Sequence, residues 1–437
     1  MSAKIHLERM MHRNSVAVRG ETVASYALLK LVPSFEGAKS APPLNLSLVM
    51  DVSGSMYEED GTGLNRLRRV QNAVLAALPM LRPADSLSLV AFGHDAAVIL
   101  EPTTLAERDR IAEVVRQLDR IEVDPGGTAM DAGMRLARDL LAPRASPEVL
   151  SQMLVLTDGE TSGDQACREL AEQLPGLHVQ LTLMGVGTEW NETLLKEMAR
   201  LGKGNWYYID ADQPAETERI FGIEFGHLTS ALFTDVALLV RPVRDVRIKR
   251  CRQVVPEIRD LQLEQCDDRL LKATVGTLGR DQTAKFILDL SLPARPDGSY
   301  VLSQVEATYR VAGTAGTTGP IPLQIAYAAN APSYLNAEVA KHIDEVQIFE
   351  LNRNLQQAIS GANTVEIQRL AQTIEKKAEV MGPRGRKKTM LARQVLEELG
   401  QGGRVSRKTQ LALDDCARLA DEMPLGEAAT PTEGKQS

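Results

Sequence analysis

Cysteine and aromatic residues are scarce in this chain of 437 residues. It contains four cysteines, and aromatic side chains make up 4% of the sequence. Cys167, Cys251, Cys266 and Cys416 show no CxxC spacing, so the sequence gives no sign of a disulfide framework, and we expect free thiols in a reducing compartment. The six histidines are scattered, so no His and Cys cluster indicates zinc.

Long apolar runs are also missing. No stretch approaches the roughly 18 uninterrupted apolar residues of a membrane-spanning helix, and the N-terminal stretch MSAKIHLERMMHRNSVAV lacks the apolar core of a secretory signal. We therefore expect a cytoplasmic protein that has no membrane partner. The net charge of −8 disfavours nucleic-acid binding by the whole surface, although it allows a local basic surface.

Near-continuous apolar segments alternate with amphipathic segments between Leu44 and about Ile209. The apolar segments are LNLSLVM, LSLVAF, QMLVLT, VQLTLMGVG and WYYI, and segments with helical periodicity separate them. This pattern predicts an α/β domain with a doubly wound, mostly parallel sheet that is covered on both faces. In such sheets, ligand sites lie at the carboxyl ends of the strands.

Apolar residues on both sides of this block alternate with a period of two instead, which predicts antiparallel strands. The segment 15–33 alternates in this way, with RGET as its turn. After the block, one face of each predicted strand carries Phe286, Leu288, Leu290 and Leu292, and then Val301, Val305, Ala307 and Tyr309. We therefore expect the α/β domain to be inserted into an antiparallel β-sandwich.

From Tyr334 onward the periodicity is helical, and Asn363 followed by Glu366 predicts a helix cap. A last helix should carry Leu413, Cys416 and Ala420. The expected order is the first sandwich strands in 1–43, the α/β domain in 44–231, the rest of the sandwich in 232–332, C-terminal α-helical hairpins in 333–422 and a disordered tail in 423–437.

Carboxylate and hydroxyl side chains follow three of the predicted strands or begin the helix after them. DVSGSM presents Asp51, Ser53 and Ser55, GGT presents Thr128, and LTDG presents Asp158. Because the carboxyl ends of parallel strands share one edge of the sheet, we expect these side chains to converge. Hard oxygen ligands suit Mg²⁺, Ca²⁺ or Mn²⁺ better than zinc. Helix capping is the structural alternative for the same residue types.

The motifs DVSGSM, GGT and TDG, in this order, resemble the von Willebrand factor A domain and its metal-ion-dependent adhesion site. The resemblance covers about residues 44–230, and it extends to the strand–helix–strand stretch TLMGVGTEWNETLLKEMARLGKGNWYYI. It implies a metal site made of Asp51, Ser53, Ser55, Thr128 and Asp158. It also implies a protein partner that supplies an Asp or Glu to the ion. The insertion into a sandwich is more loosely similar to integrin β chains and inter-α-trypsin inhibitor heavy chains.

Other residues near the expected site allow two interpretations each. Glu58, Glu59 and Asp60 lie where integrin β chains carry an acidic pair for an adjacent ion, but a solvated loop is the simpler explanation. His94 follows a strand close to the same edge, and we interpret it as a surface-loop residue.

Positive charge is concentrated near the C-terminus. The residues are Arg384, Arg386, Lys387, Lys388, Arg393, Arg404, Arg407 and Lys408, against Glu397 and Glu398. The segment 384–408 is either a solvated helical hairpin or a second docking surface for an acidic partner. No aromatic residue lies between these charges, so nucleic-acid binding through base stacking is not expected.

These patterns favour a non-enzymatic, metal-dependent protein–protein interaction module, with no catalytic residues and no organic cofactor. One alternative is an adaptor subunit for a separate AAA+ ATPase, since the chain has no P-loop of its own and its composition is typical of bacteria. A metal-dependent hydrolase is a further alternative. Ser53 follows a strand as hydrolase nucleophiles do, but VSGSM is not GxSxG and no motif supplies a histidine base.

Overall fold

A computed structural model describes residues 3–18, 21–34, 41–59, 63–121, 123–161, 163–211, 213–329 and 334–418. Three strands come first along the chain, and they are β1 (Lys4–Met11), β2 (Ser15–Ala17) and β3 (Val23–Ser34).

The α/β domain follows these strands. Its strands are β4 (Leu44–Asp51), β5 (Ser86–Phe92), β6 (Ala96–Thr104), β7 (Leu150–Thr157), β8 (Val179–Val186) and β9 (Trp206–Ile209). Its helices are α1 (Arg66–Ala77), α2 (Arg108–Arg116), α3 (Met130–Leu141), α4 (Asp164–Gln173), α5 (Glu192–Leu201) and α6 (Pro214–Ser230). The strand order is β6-β5-β4-β7-β8-β9, in which β6 is antiparallel to β5 and the other neighbours are parallel.

Helices cover both faces of this sheet, as the continuous apolar strands predict. Every residue of β4 is buried. Leu48 and Met50 pack in one core cluster with residues of α1 and α6, whereas Val49 packs in another with residues of α3, α4 and α5. The parallel α/β prediction is confirmed. The antiparallel edge strand β6 was not predicted from the sequence.

The sandwich is completed after α6. Its strands are β10 (Ala231–Pro242), β11 (Arg247–Val255), β12 (Arg259–Leu261), β13 (Leu263–Gln265), β14 (Leu271–Gly279), β15 (Ala284–Leu292), β16 (Gly298–Val311), β17 (Thr314–Thr317) and β18 (Ile321–Ala328). One sheet has the order β1-β3-β15-β11-β12, and the other has the order β13-β14-β10-β16-β18-β2, with β17 beside β16.

Strand β3 joins the part of the sandwich that precedes the α/β domain to the part that follows it. It lies between β1 and β15, and Leu29 is opposite Phe286 while Leu31 is opposite Ala284. These side chains point into the core between the two sheets. The predicted insertion of the α/β domain into an antiparallel sandwich is therefore confirmed.

Two details of the predicted strands are wrong. The stretches on either side of RGET do not pair with each other, because β2 lies parallel to β18 in one sheet while β3 pairs with β1 in the other. In β16, Val301 is 39% exposed and Leu302 is buried. The pairing of β16 with β18 shifts its register after Val301, so the alternation of buried and exposed side chains changes phase at this point.

Four helices form the C-terminal region, and they are α7 (Ala337–Ser360), α8 (Thr364–Val380), α9 (Arg386–Gly402) and α10 (Arg407–Arg418). Successive helices from α7 to α9 pack as hairpins, and α10 packs on α7 and α9. The side chain of Asn363 caps α8 by accepting a hydrogen bond from the backbone N–H of Glu366 at 3.2 Å. Ala420 and the predicted tail 423–437 lie outside the described residues.

The helical region also contacts the other two parts of the molecule. Val339 and Ile343 of α7 pack on Leu28 and Ile287, which are on the outer face of the β1-β3-β15-β11-β12 sheet. Leu411 of α10 belongs to a core cluster of the α/β domain. Within the ranges that the structure describes, no helix is long and apolar enough to cross a membrane.

Candidate metal centre

The predicted ligands lie at the carboxyl edge of the parallel sheet. Strands β4 and β7 are parallel neighbours, and Met50 is paired with Leu156. Asp51, at the end of β4, therefore lies beside Thr157, the last residue of β7. Asp158 follows directly, which places both predicted carboxylates at one edge.

The Asp51 carboxylate is fully buried and is held from both sides. The backbone N–H of Ser53 donates to Asp51 Oδ1 at 2.8 Å, and the Thr157 hydroxyl donates to Asp51 Oδ2 at 2.7 Å. Burial raises the pKa of Asp51 to about 6, although the hydrogen bonds from Ser53 and Thr157 oppose this effect, and the neighbouring charge of Asp158 adds to it. A cation nearby would favour the ionised form.

A chain of hydroxyl groups connects the two motifs. Ser53 Oγ lies 3.2 Å from Ser55 Oγ, and Ser55 Oγ donates to Asp158 Oδ1 at 2.7 Å. Asp158 is fully buried. Because the Ser55 proton is committed to Asp158, this hydroxyl can accept a hydrogen bond from Ser53 and still offer a lone pair to a cation.

Thr128 comes from the loop before α3 and lies beside these hydrogen-bonded residues. A Cβ atom added to Gly159 would be 3.6 Å from Thr128 Oγ1, so the threonine hydroxyl faces the residue after Asp158. The Thr161 hydroxyl donates to the backbone carbonyl of Thr128 at 2.8 Å, which ties the loops after β7 and before α3 together. The structure therefore brings all five predicted residues to one place.

Backbone contacts hold the loops that carry these residues. The N–H of Gly54 donates to the carbonyl of Pro125 at 3.0 Å, and the N–H of His94 donates to the carbonyl of Asp124 at 2.7 Å. A Cβ at Gly93 would lie 2.2 Å from the Asp124 carbonyl oxygen, so this close approach requires glycine. The loop positions are thus set by main-chain packing as well as by the side chains.

The donor set fits a hard cation. It consists of two carboxylates and three hydroxyls, and Mg²⁺ prefers about six oxygen ligands, some of them usually water. Among the described residues, no group of three or more His, Cys, Asp or Glu side chains is arranged to hold a metal ion. An ion at this edge must therefore use the hydroxyls, and zinc, which prefers nitrogen and sulfur ligands, suits the set poorly.

The residues around the site have distinct positions. Glu58 and Glu59 are exposed, and Glu58 pairs with Arg66 at 3.5 Å, while Asp60 lies outside the described residues. His94 is exposed, and its ring lies beside Gly127. His94 therefore lies on the rim of the site, as a surface-loop residue would.

Sequence reasoning missed two residues that contact the carboxylates. Arg66 Nη1 lies 2.6 Å from Asp158 Oδ2, and Thr157 donates to Asp51. Thr157 was detectable in LTDG, since it is the last residue of a strand that neighbours β4 and so lies at the same sheet edge as Asp51. No sequence pattern predicted the contact of Arg66, because nothing in NRLRR relates this arginine to Asp158.

The basic segment 384–408 carries much of its charge in intramolecular pairs. Arg393 contacts Glu375 and Glu379 at 2.7 and 2.6 Å. Arg407 contacts Glu192 at 2.8 Å, and Lys408 contacts Asp210 at 3.4 Å. Lys388 is 2% exposed. These pairs attach the helical region to itself and to the α/β domain, and they reduce the positive charge that the segment offers to a partner.

Comparison with known proteins agrees with this architecture. Residues 46–160 match the von Willebrand factor type A domain. An uncharacterized protein of Synechocystis is 30% identical over 291 residues, which are 65% of this chain and 66% of that protein. The mouse inter-alpha-trypsin inhibitor heavy chain H2 is 24% identical over 185 residues, covering 40% of this chain and 19% of that protein. The chain thus spans less than two thirds of the length of either relative.

A solved structure extends the similarity of fold to most of the chain. A von Willebrand factor type A protein from Catenulispora acidiphila matches with a TM-score of 0.75 and 16% identity, and the match covers 95% of this chain and 97% of that one. At this identity the match shows the fold alone, and that fold includes the sandwich and the helices as well as the α/β domain. Domains of this family act as protein-interaction modules. From its motifs, its sheet topology and the family match over residues 46–160, this chain contains a von Willebrand factor type A domain.

Proposed function

We propose that this protein is a non-enzymatic interaction module that works through a bound divalent cation. The ion is held by Asp51, Ser53, Ser55, Thr128 and Asp158, and a partner protein supplies an Asp or Glu side chain to it. Mg²⁺ is the proposed ion, since we place the protein in the cytoplasm, and Ca²⁺ or Mn²⁺ would suit the same oxygen donors.

The observation that carries this proposal is the hydrogen-bonded chain from Ser53 through Ser55 to Asp158. These oxygens come from two separate motifs, yet their side chains meet at 3.2 and 2.7 Å. Asp51 and Asp158 are both fully buried. Two carboxylates buried at one edge are costly without positive charge; Arg66 offsets that of Asp158, and a divalent cation would supply the rest.

The partner contact follows from the chemistry of such an ion. If the two carboxylates contact the ion through water and the hydroxyls are its direct ligands, part of the positive charge of the ion faces outward and attracts an incoming carboxylate. Since every protein displays carboxylates, selectivity must come from the rim around the ion. In this chain the rim includes Glu58, His94, Gly126 and Glu160, which belong to different loops.

The same contacts argue against Ser53 as a nucleophile. A serine nucleophile needs a base within hydrogen-bond reach. The carboxylates near the Ser53 hydroxyl already accept other hydrogen bonds, Asp51 from the Ser53 backbone and Thr157, and Asp158 from Ser55. The second oxygen of Asp158 is already paired with Arg66. This arrangement suits oxygen ligands better than a proton relay.

Isothermal titration calorimetry with Mg²⁺ and Mn²⁺ tests the proposal. The wild-type protein should bind one divalent ion, and Asp51→Ala and Asp158→Ala should each abolish binding because each removes a buried carboxylate. Glu160→Gln is the matched control: it removes one exposed rim charge next to Asp158 and should retain the ion. Undiminished binding in both alanine variants would place the ion elsewhere and refute the proposal.

A further inference from the structure

Arg66 occupies an unusual position for a cationic side chain beside a cation site. It is the first residue of α1, and its Nη1 lies 2.6 Å from Asp158 Oδ2. A Cβ at Gly187, just past the end of β8, would lie 3.8 Å from Arg66 Cζ. The guanidinium therefore lies across the carboxyl ends of β7 and β8, next to the proposed ligands.

We propose that Arg66 competes with the divalent cation for Asp158, so that ion binding requires the guanidinium to leave this carboxylate. This inference rests on the proposed function and adds a residue that sets the affinity of the site. In the structure, Ser55 and Arg66 occupy the two oxygens of Asp158. Arg66 neutralises the charge of this carboxylate, so the carboxylate attracts an approaching dication less strongly. The guanidinium also repels the dication directly.

Burial makes this competition strong. Asp158 is fully buried, and the Arg66 side chain is 18% exposed. A contact between a guanidinium and a buried carboxylate is charge-assisted and poorly screened by salt. The free energy of breaking this contact is therefore subtracted from the free energy of ion binding.

Glu58 is a second carboxylate partner for the guanidinium when it leaves Asp158. Its Oε2 lies 3.5 Å from Arg66 Nη2, and the Glu58 side chain is 65% exposed. Arg66 can thus give up Asp158 while it keeps one carboxylate partner toward the solvent. This assigns Glu58 a role as a holder of Arg66 at the rim.

The test compares two substitutions of Arg66 in the full-length protein. Arg66→Gln removes the charge but keeps a polar side chain of similar reach, and it should bind Mn²⁺ at least about tenfold more tightly than the wild type, since a unit charge near a dication is removed. Arg66→Lys keeps the charge and should stay within about threefold of the wild type. Calorimetry gives the affinities, and electron paramagnetic resonance of Mn²⁺ gives an independent count of bound ion.

The outcomes separate this inference from the function it rests on. If Mn²⁺ binds neither the wild-type protein nor Arg66→Gln, or binds Asp51→Ala as tightly as the wild type, the proposed function fails. If the wild type binds, Asp51→Ala does not, and Arg66→Gln binds no more tightly than the wild type, the role of Arg66 alone is overturned.

A measurement on the wild-type protein covers the case in which Arg66→Gln does not fold. With ¹⁵N-arginine labelling and Arg66→Lys to assign the signal, the Nε resonance of Arg66 should move on saturation with Mg²⁺. The resonance should return to its first position after addition of EDTA. A resonance that keeps its position at saturating Mg²⁺ would show that the guanidinium stays on Asp158, which contradicts the proposal.

Discussion

The α/β domain and the sandwich are assembled in different ways. In the α/β domain, β4 pairs with β5 and β7, which all belong to one continuous segment of the chain. In the sandwich, β3 pairs with β15, and the whole α/β domain lies between them in sequence. The part that carries the candidate metal centre is thus built from contacts within one segment of the chain. The sandwich instead needs the two segments that flank the long insertion. The two parts should therefore respond differently to truncation and to substitution.

Truncation should give the largest effect. Deleting residues 1–40 removes β1, β2 and β3, including Ala27, Leu28, Leu29 and Leu31, which are all fully buried. Each large buried side chain is worth about 2–5 kcal/mol, and the total stability of a domain is only about 5–15 kcal/mol. The shortened chain should aggregate, whereas residues 44–231 alone should unfold cooperatively, as measured by size-exclusion chromatography and thermal circular dichroism.

This comparison also tests the proposed boundaries of the α/β domain. A monomeric deletion of 1–40 that melts at the wild-type temperature would refute the contribution of these strands. Failure of residues 44–231 to fold while the full chain is stable would show that the α/β domain depends on the sandwich.

The contact between the helical region and the other two parts should give the next largest effect. Arg418 is 5% exposed, pairs with Glu257 and with Asp415 at 3.2 Å, and lies 4.5 Å from the Trp206 ring. Arg418→Met leaves the buried carboxylate of Asp415 and the half-buried carboxylate of Glu257 without this partner, so it should lower the free energy of unfolding by about 3–5 kcal/mol. Chemical denaturation measures this loss.

The control for Arg418 is an exposed arginine of the same helical region. Arg353 pairs with Asp260 at 3.2 Å, and its side chain is 53% exposed. Arg353→Met should cost at most about 1 kcal/mol. Neither variant should change the affinity for Mg²⁺, and a lower affinity in Arg418→Met would mean that the helical region is coupled to the metal centre.

The partner contact should be sensitive to one carboxylate. Once a partner is known, replacing its metal-binding Asp or Glu with the amide should weaken the complex by about 2–5 kcal/mol, because the shape is kept while the charge is lost. Titrations in Mg²⁺ and in EDTA measure this effect. A complex that forms equally well in EDTA would exclude the ion from the interface and make the segment 384–408 the better candidate.

The smallest effect is expected in that basic segment. Arg393→Ala breaks exposed pairs with Glu375 and Glu379, which should cost about 0.2–1 kcal/mol of stability. Partner affinity should be unchanged if the metal edge is the contact surface. A clear drop in partner affinity, growing at low salt, would instead assign the contact to this segment.

The sequence by itself determined the features that depend on neighbouring residues. Continuous apolar strands alternating with amphipathic helices predict a parallel sheet, and this topology alone places the ends of β4 and β7 at one edge. The proximity of Asp51 and Asp158 was therefore predictable although they are far apart in the chain. Period-two alternation likewise predicted the core face of β15, where Phe286 and Leu288 pack between the sheets.

Only the tertiary structure decided which distant groups meet. The alternation of β2 and β3 is the same whether they pair with each other or lie in different sheets, and the exposure of Val301 depends on a register shift against β18. Arg66 reaches Asp158 because α1, which packs on a face of the sheet, begins at its carboxyl edge, and no local pattern encodes that placement. Periodicity records which side of a strand or helix is buried, whereas strand pairing and the contacts of a long side chain depend on partners that only folding brings near.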